Sequence, residues 1–257
     1  MQKLKEIADI CRLAGKTVMQ VYESGNFEIE HKVDNSPLTL ADKQAHEIIT
    51  DELENISNYQ IISEEGSIPL QVANVFWLVD PIDGTKEFIK KNGEFTINIG
   101  LIENGRPVLG VVYAPAKDVM YMGSEHDGSW KQIGDNKLMK ISAEFHGDHA
   151  VIVASKSHRD DKVDAFLNRF DSHKEINMGS SLKLCLVAEG IALAYPRFAP
   201  TCLWDTAAAD AIVRAAGGFV FEASGEKQLE YNLSNIKNPH FVAHCKNIDD
   251  FTKFSER

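Results

Sequence analysis

The segment Trp77-Leu78-Val79-Asp80-Pro81-Ile82-Asp83-Gly84-Thr85 places two carboxylates where an apolar strand ends and a short helix begins. Proline cannot donate to a β-ladder, so Pro81 ends the regular pairing directly after Asp80. Asp83 and Gly84 then precede a helical pattern whose first N–H groups can bind phosphate oxygens. Carboxylate oxygens are the ligands that Mg²⁺ prefers. The segment therefore indicates a site for hard cations and a phosphate, with a helix-capping Asx turn as the alternative interpretation.

Further acidic side chains stand at the ends of other predicted elements. Glu64 and Glu65 follow a short strand, Asp205 opens a helix, and Asp42 lies in the first turn of another helix. Each has an ordinary explanation by itself, because Glu-Glu is common in solvated loops and Asp is common near helix N-termini. Together with the two aspartates above, they make an oxygen-rich constellation in a chain whose histidines and cysteines lack metal-site spacing.

Apolar periodicity predicts helices and strands in a different order in the two halves of the chain. An amphipathic N-terminal helix and a second helix that begins after Thr39 are followed by strands at 60–63, 75–80, 95–103, 107–113 and 119–122. Asn104-Gly105 predicts a hairpin turn. In the second half, predicted strands at 151–154, 175–177, 191–195, 218–221 and 241–244 alternate with helices at 160–170, 182–189 and 206–216.

A polar stretch at 123–147, punctuated by glycines, separates these two patterns. It predicts a domain boundary near residue 145. Residues 1–145 then form an α+β domain that contains most of the acidic residues named above. Residues 146–257 form an α/β domain that contains Asp205.

Charge and composition limit the partners of the 257-residue chain. The formal net charge of −11 argues against a nucleic acid polymer, which proteins bind through clustered Lys and Arg. Small phosphorylated molecules remain possible substrates, since metal ions can lie between an acidic protein and an anionic substrate. Scattered cysteines, a charged N-terminus and the absence of an apolar run of about 20 residues predict a cytoplasmic protein without a transmembrane segment.

These segments together resemble the lithium-sensitive, magnesium-dependent phosphomonoesterase superfamily that includes the inositol monophosphatases. The resemblance covers almost the whole chain and rests on the motifs W-x-x-D-P-x-D-G-T at 77–85 and W-D-x-A-A at 204–208. It implies a layered sandwich of the sugar-phosphatase type, α+β in its first half and α/β in its second, with the active site between them. It also implies two or three Mg²⁺ ions, held by Glu64, Asp80, the Ile82 carbonyl, Asp83 and Asp205.

The same resemblance implies roles for side chains beside the metal ions. Asp42 and Thr85 match a carboxylate–hydroxyl pair that orients the attacking water. Glu64 is implied to be catalytic as well as a ligand. Alignment favours Glu64 over Glu65 as the ligand and places Glu65 behind it.

Within the superfamily, the chain is most similar to the bacterial CysQ-type 3'(2'),5'-bisphosphate nucleotidases. The similar segments are 34–39, 85–89, 154–159, 179–183 and 195–197. This implies hydrolysis of adenosine 3',5'-bisphosphate to AMP and phosphate, with 3'-phosphoadenylyl sulfate as a further candidate substrate. The implied substrate contacts are Gly84, Thr85, Lys86, His158, Ser180, Lys183, Arg197 and Asp205.

The contacts in the second half suit a nucleotide. Ser180, Lys183 and Arg197 can hold the phosphate that is not removed, because Arg presents a planar fork and Lys a point charge. His158 is assigned to the base or the sugar. Ordinary structural roles remain open for Ser180 as a helix cap, for Lys183 as a solvated residue and for His158 in a loop. Ala199 departs from the family pattern Arg-x-Gly-Pro-Thr, which matters if that position needs a positive φ.

Two alternatives to this interpretation remain at the level of sequence. The first is an inositol or sugar monophosphatase that uses the same metal ions. The second is a non-catalytic, metal-dependent nucleotide sensor, against which the pair Asp42 and Thr85 argues, since a binder has no need to orient water. The choices between monomer and homodimer, and between the cytoplasm and the cytoplasmic face of the inner membrane, are open.

Overall fold

Two large β-sheets, a short β-ribbon and six α-helices make up the parts of the chain that the computed structural model describes, residues 1–32, 36–71, 73–154 and 161–246. The helices are α1 (Gln2–Ser24), α2 (Leu40–Ile56), α3 (Thr85–Ile89), α4 (Asp161–Leu167), α5 (Leu182–Ala188) and α6 (Leu203–Ala215). The strands up to residue 145 are β1 (Glu30–His31), β2 (Pro37–Leu38), β3 (Gln60–Ser63), β4 (Val75–Asp83), β5 (Thr96–Glu103), β6 (Arg106–Ala114), β7 (Val119–Ser124), β8 (Gly128–Ile133) and β9 (Met139–Ile141). The later strands are β10 (Ala150–Ala154), β11 (His173–Asn177), β12 (Ala194–Arg197), β13 (Phe219–Glu222) and β14 (Phe241–His244).

Both N-terminal helices form where the sequence predicts them. The predicted apolar face of α1 is buried, and the helix ends at Gly25, whose φ of 72° is the left-handed conformation that glycine adopts readily. Helix α2 begins at a capping box in which the Thr39 backbone N–H donates to Asp42 Oδ2 at 2.7 Å. The cap therefore fixes where Asp42 lies.

The first sheet has seven strands in the order β3-β4-β5-β6-β7-β8-β9, parallel between β3 and β4 and antiparallel elsewhere. The predicted hairpin turn at Asn104-Gly105 is confirmed, with positive φ at both residues. Strands β8 and β9 lie within the stretch 123–147, where the sequence predicts none. They were missed because both strands are polar and bury little apolar surface; β9 is the edge strand of the sheet and β8 is its neighbour.

The second sheet has five strands in the order β11-β10-β12-β14-β13. Strand β10 is parallel to both of its neighbours, and β14 is antiparallel to both of its own. Two predicted boundaries were wrong here. Helix α6 begins at Leu203, not at residue 206, because the Asp205 carboxylate accepts the Cys202 N–H and starts the helix earlier. Strand β12 begins three residues after the predicted start, because residues 190–192 still close the turn after α5.

Five layers follow from the way these elements bury their apolar faces. Helices α1 and α2 cover one face of the seven-stranded sheet, and α5 and α6 lie between the two sheets. Helix α4 covers the outer face of the five-stranded sheet. The predicted layered sandwich is confirmed. We propose a domain boundary near residue 145, since each large sheet lies entirely on one side of it.

Three glycines in register let α6 lie unusually close to the seven-stranded sheet. Gly100 pairs with Gly110, and Gly110 pairs with Gly123, so they form a row across β5, β6 and β7. A Cβ on Gly110 would stand 2.0 Å from the Ala208 carbonyl oxygen, and one on Gly123 would stand 2.9 Å from Ile212 Cα. The row therefore forms a groove that only glycine leaves open.

We predict that Gly110→Ala lowers the free energy of unfolding by at least about 2 kcal/mol, because the added methyl group must push the α6 backbone away from the sheet. Gly66→Ala is the matched control. Its Cβ would meet nothing closer than 3.5 Å, so its effect stays within about 0.5 kcal/mol. Urea unfolding of both variants measures the difference. Equal stability of the two would contradict the close contact.

Candidate active site

The end of β4 brings two aspartates to the seam between the sheets. Trp77 and Val79 point toward α1 and α2, whereas Phe76 and Leu78 point toward α6. By the two-residue period of a strand, Asp80 faces α6 as well. The pairing with β5 is regular up to Asp80 and irregular between Asp80 and Asp83, where Pro81 interrupts the ladder.

Three carboxylates from three elements converge at this point. Glu64 follows β3, Asp80 ends the regular part of β4, and Asp205 lies in the first turn of α6. One ligand oxygen or more from each lies within 4.8 Å of the others. Asp80 is 1% exposed, and neither of its oxygens has a hydrogen-bond partner among the described residues. A buried carboxylate with two unpaired oxygens is costly unless a cation completes it, so this cluster can hold a metal ion.

The electrostatics of the cluster point the same way. Burial, and then the carboxylates of Glu64, Asp83 and Asp205, hold the pKa of Asp80 well above its ordinary value. Burial followed by the charges of Asp83 and Glu64 raises the pKa of Asp205 to about 8. The pKa of Glu64 is also raised, mainly by burial. In each case burial first, and then the neighbouring carboxylates, disfavour the charged form, a cost that a cation between these groups would offset.

Lys32 supplies one positive charge at the edge of the cluster. Its Nζ lies 2.7 Å from Glu64 Oε1 and 2.6 Å from Glu65 Oε1. Burial lowers the pKa of Lys32, but the two carboxylates outweigh burial and raise that pKa overall. The sequence gives no signal for this contact, because the lysine is more than 30 residues from its partners and nothing in its neighbours marks it.

Asp42 and Thr85 meet beside the cluster. Thr85 Oγ1 lies 3.4 Å from Asp42 Oδ1 and 3.3 Å from the Ile82 carbonyl oxygen. Asp42 Oδ2 accepts hydrogen bonds from the backbone and hydroxyl of Thr39. Burial raises the pKa of Asp42 to about 6, although the Thr39 hydrogen bonds act against it. The capping box thus directs the other Asp42 oxygen toward Thr85.

Asp83 is held by the turn that precedes α5. Its Oδ2 accepts hydrogen bonds from Ser180 Oγ at 2.7 Å, from the Ser181 N–H at 2.6 Å and from Ser181 Oγ at 2.9 Å. The Ser180 hydroxyl, predicted to contact substrate, is therefore directed to Asp83 and also to Thr96. The sequence gives no reason to single out Ser181, since its role depends on a contact across 98 residues.

Two buried cations lie close to these carboxylates, since the charge of Asp83 acts on Lys183 and that of Arg197 acts on Asp205. Lys183 and Arg197 are 8% and 9% exposed, and neither forms an ion pair within the described residues. Burial lowers the pKa of Lys183 to about 8, despite the opposing charge of Asp83. Lys183 Nζ donates to the Ser180 carbonyl oxygen at 2.6 Å and lies 5.6 Å from the Tyr195 ring centre. An anion would supply the missing counter-charge.

The Arg197 guanidinium is fixed by its own loop. Its Nε and Nη2 each donate at 3.1 Å, to the carbonyl oxygens of Ala199 and Pro200 respectively. Ala199 is not among the described residues with positive φ, so the backbone at this position does not require the glycine of the family pattern. The departure from the family pattern therefore introduces no backbone strain at Ala199.

A single cleft of about 480 Å³ has both the carboxylates and the cations in its lining. Glu64, Asp83 and Asp205 line it together with Lys183 and Arg197. Gly84, Thr85, Lys86, Ser180 and Tyr195 are also in its wall. Lys86 is exposed at the rim, and Gly84 has a φ of 91°. Of the residues that the sequence assigns to the site, His158 lies outside the described residues.

Comparison with known proteins agrees with this geometry. The model of the inositol monophosphatase family matches residues 1–249, which is nearly the whole chain. The chain belongs to the inositol monophosphatase family. Membership accounts for the carboxylates at the strand ends, since the family is metal-dependent and the cluster of Glu64, Asp80 and Asp205 can hold a metal ion.

Relatives within the family are similar over most of their length. The 3'(2'),5'-bisphosphate nucleotidase CysQ of Escherichia coli K12 is 43% identical over 244 residues, 93% of this chain and 98% of the relative. CysQ of Buchnera aphidicola is 45% identical over 239 residues, 90% of this chain and 88% of the relative. The crystal structure of CysQ from Bacteroides thetaiotaomicron superposes with a TM-score of 0.86 at 39% identity, covering 96% and 98% of the two chains.

An inositol monophosphatase from Thermotoga maritima has the same fold, with a TM-score of 0.79 at 26% identity and coverage of 98% and 96%. The likeness thus includes family members with different names, and the residues of the cleft must decide between them. None of the helices in the described parts of the chain has both the length and the apolar surface needed to cross a bilayer.

We predict that Asp80→Asn stabilises the metal-free protein, because it removes a buried charge that lacks a partner. The gain is at least about 1 kcal/mol, or roughly 2–4 °C in melting temperature. Added Mg²⁺ stabilises the wild type and leaves the variant unchanged. Thermal unfolding in EDTA and in Mg²⁺ measures both effects.

Asp51→Asn serves as the control, since Asp51 is exposed on α2. It should follow the wild type in both buffers. A lower melting temperature for Asp80→Asn in EDTA would show that the charge is already compensated in the fold.

Proposed function

We propose that the chain is a magnesium-dependent phosphatase that removes the 3'-phosphate of adenosine 3',5'-bisphosphate and leaves AMP. The observation that carries the proposal is the pair of buried cations, Lys183 and Arg197, in the same cleft as the acidic cluster. A substrate with one phosphate would leave these cations without a counter-charge. A bisphosphate can meet the metal-binding carboxylates with one phosphate and the two cations with the other. The relatives from Escherichia coli K12 and Buchnera aphidicola are named 3'(2'),5'-bisphosphate nucleotidases.

The residues that would hold the ions offer oxygen alone. We propose that two or three Mg²⁺ ions bind to Glu64, Asp80, the Ile82 carbonyl, Asp83 and Asp205, a donor set of the kind that Mg²⁺ prefers. The unpaired oxygens of Asp80 and the raised pKa values of the cluster support this assignment. When bound, the ions neutralise phosphate charge and lower the pKa of water.

The protein groups beside the ions position the reactants. Asp42 and Thr85 form the pair that would orient the attacking water, because the Thr85 hydroxyl can donate to Asp42 and still accept from a water molecule. The N–H groups of Gly84 and Thr85, at the start of α3, would bind oxygens of the reacting phosphate. Lys86 would contact the substrate from the rim.

The two buried cations would hold the phosphate that stays. Lys183 contributes a buried ammonium group, and Arg197 a guanidinium that its loop already orients. Groups that are fixed before binding lose little entropy when the ligand arrives. Asp205, which lines the cleft, would contact the ribose. We place His158 at the base or sugar as a sequence-based expectation.

Phosphate release from adenosine 3',5'-bisphosphate and from inositol 1-phosphate, measured side by side with Mg²⁺, tests the proposal. We expect a strong preference for the nucleotide. Lys183→Met and Arg197→Met should each raise KM for the nucleotide at least about tenfold, since a hydrogen bond to a charged group contributes about 1.5–3 kcal/mol. The same variants should leave KM for inositol 1-phosphate nearly unchanged.

Lys174→Met is the matched control for these variants, because Lys174 is an exposed lysine outside the cleft. It should behave as the wild type with both substrates. A preference for inositol 1-phosphate would replace the proposed substrate with an inositol or sugar monophosphate. Nucleotide binding without release of phosphate from either compound would identify a sensor. Activity on 3'-phosphoadenylyl sulfate would add a second substrate.

We also propose that the enzyme works in the cytoplasm. Three of its four cysteines, Cys11, Cys185 and Cys245, are buried free thiols, as expected of a protein from a reducing compartment. Sedimentation velocity distinguishes a monomer from a homodimer, and cell fractionation distinguishes the cytoplasm from the cytoplasmic face of the inner membrane.

A further inference from the structure

The Asp83 side chain is held by more hydrogen bonds than the capping of α5 alone would need. Three donors converge on one oxygen, Oδ2, at 2.6–2.9 Å, and none of these three hydrogen bonds reaches the other oxygen, Oδ1. All three donors belong to Ser180 and Ser181. Asp83 lines the cleft. Its Oδ1, which accepts none of these three hydrogen bonds, therefore belongs to a side chain that faces the site.

The turn that carries the donors is itself fixed on both sides. The Gly179 N–H donates to Glu94 Oε2 at 2.9 Å, and the Ser180 carbonyl accepts Lys183 Nζ at 2.6 Å. Ser180 has a φ of 57°, a left-handed conformation that is uncommon for a residue with a side chain. Because neighbouring contacts impose this backbone, the turn provides a rigid support for Asp83.

The Ser181 hydroxyl lies within reach of three acceptors, one of which is the carboxylate of Asp83. It is 2.9 Å from Asp83 Oδ2 and 3.3 Å from the Asp205 carbonyl oxygen, and it is also 2.7 Å from Asn98 Oδ1. A hydroxyl has one hydrogen, and a charged carboxylate is the strongest acceptor of the three. Ser181 is 3% exposed, so water does not compete for this hydrogen.

We propose that Ser181 is a positioning residue that fixes the orientation of the Asp83 carboxylate for metal binding. The inference rests on the proposed function, in which Asp83 is a Mg²⁺ ligand. Holding Oδ2 sets the plane of the carboxylate and therefore the direction of Oδ1. A ligand oriented in advance loses less rotational freedom when the ion binds, and residues behind a metal ligand commonly change affinity 10- to 100-fold.

The consequence concerns both halves of the protein. Ser181 belongs to the segment that also carries Lys183, one of the two cations proposed to hold the second phosphate. The same turn thus orients a ligand from the first sheet and a cation from α5. A change in the turn should alter Mg²⁺ affinity without any change to the carboxylates themselves.

Titration calorimetry of Mg²⁺ into the metal-free protein tests the inference. Ser181→Ala removes the hydroxyl and keeps the N–H, and we expect it to weaken Mg²⁺ binding about tenfold. Ser180→Ala removes the other hydroxyl and should weaken binding in the same direction. In activity assays, Ser181→Ala should raise the Mg²⁺ concentration for half-maximal rate about tenfold and keep kcat at saturating Mg²⁺ close to the wild-type value.

Ser129→Ala is the matched control, because Ser129 is also a fully buried serine and its hydroxyl donates to the Ile212 carbonyl oxygen at 2.6 Å, away from the cleft. Removal of this buried hydroxyl should lower the free energy of unfolding, but Ser129→Ala should keep wild-type Mg²⁺ affinity. Asp83→Asn separates the positioning role of Ser181 from the assignment of Asp83 as a Mg²⁺ ligand. If it loses Mg²⁺ binding while Ser181→Ala binds as the wild type does, the positioning role is wrong and the proposed function stands. If Asp83→Asn binds Mg²⁺ normally, Asp83 is not a ligand and the inference falls with that assignment.

Discussion

The close contact between α6 and the seven-stranded sheet sets the position of everything else in the site. Across three neighbouring strands the sheet presents glycine, and the helix backbone lies where side chains would otherwise stand. Asp205 is in the first turn of that helix, and Asp80 stands on the same face of the sheet, two residues beyond Leu78. A helix held farther away would separate these two carboxylates, and the cluster that can hold a metal ion would not form.

The site combines two electrostatic demands that the fold alone does not meet. Buried carboxylates repel one another and have raised pKa values, and two buried cations form no ion pair with a carboxylate within the described residues. Most buried charges in proteins are paired. Unpaired acids and unpaired bases in one cleft make sense if metal ions and an anionic ligand bind there and complete both sets. The unpaired charges of the cleft are therefore the structural reason for proposing metal ions and a substrate with two phosphates.

Much of this arrangement could be predicted from the sequence, because its strongest signals are local. The capping box of Thr39 and Asp42, the strand that ends at Asp80 and the turn at Asn104-Gly105 each depend on a few neighbouring residues. What the sequence missed depends on long-range contacts. Lys32 reaches Glu64 from another element, and the support of Asp83 by Ser181 spans the two halves. Strands β8 and β9 were not predicted because few of their side chains are buried.

The central claim is that one cleft holds metal ions at its carboxylates and the retained phosphate at its two buried cations. A crystal structure with Mn²⁺ and AMP tests it most directly, since Mn²⁺ can replace Mg²⁺ at oxygen sites and gives an anomalous signal. We predict anomalous peaks among Glu64, Asp80, Asp83 and Asp205, with the 5'-phosphate of AMP against Lys183 and Arg197. A 5'-phosphate bound elsewhere in the cleft, with the two cations uncovered, would contradict the account.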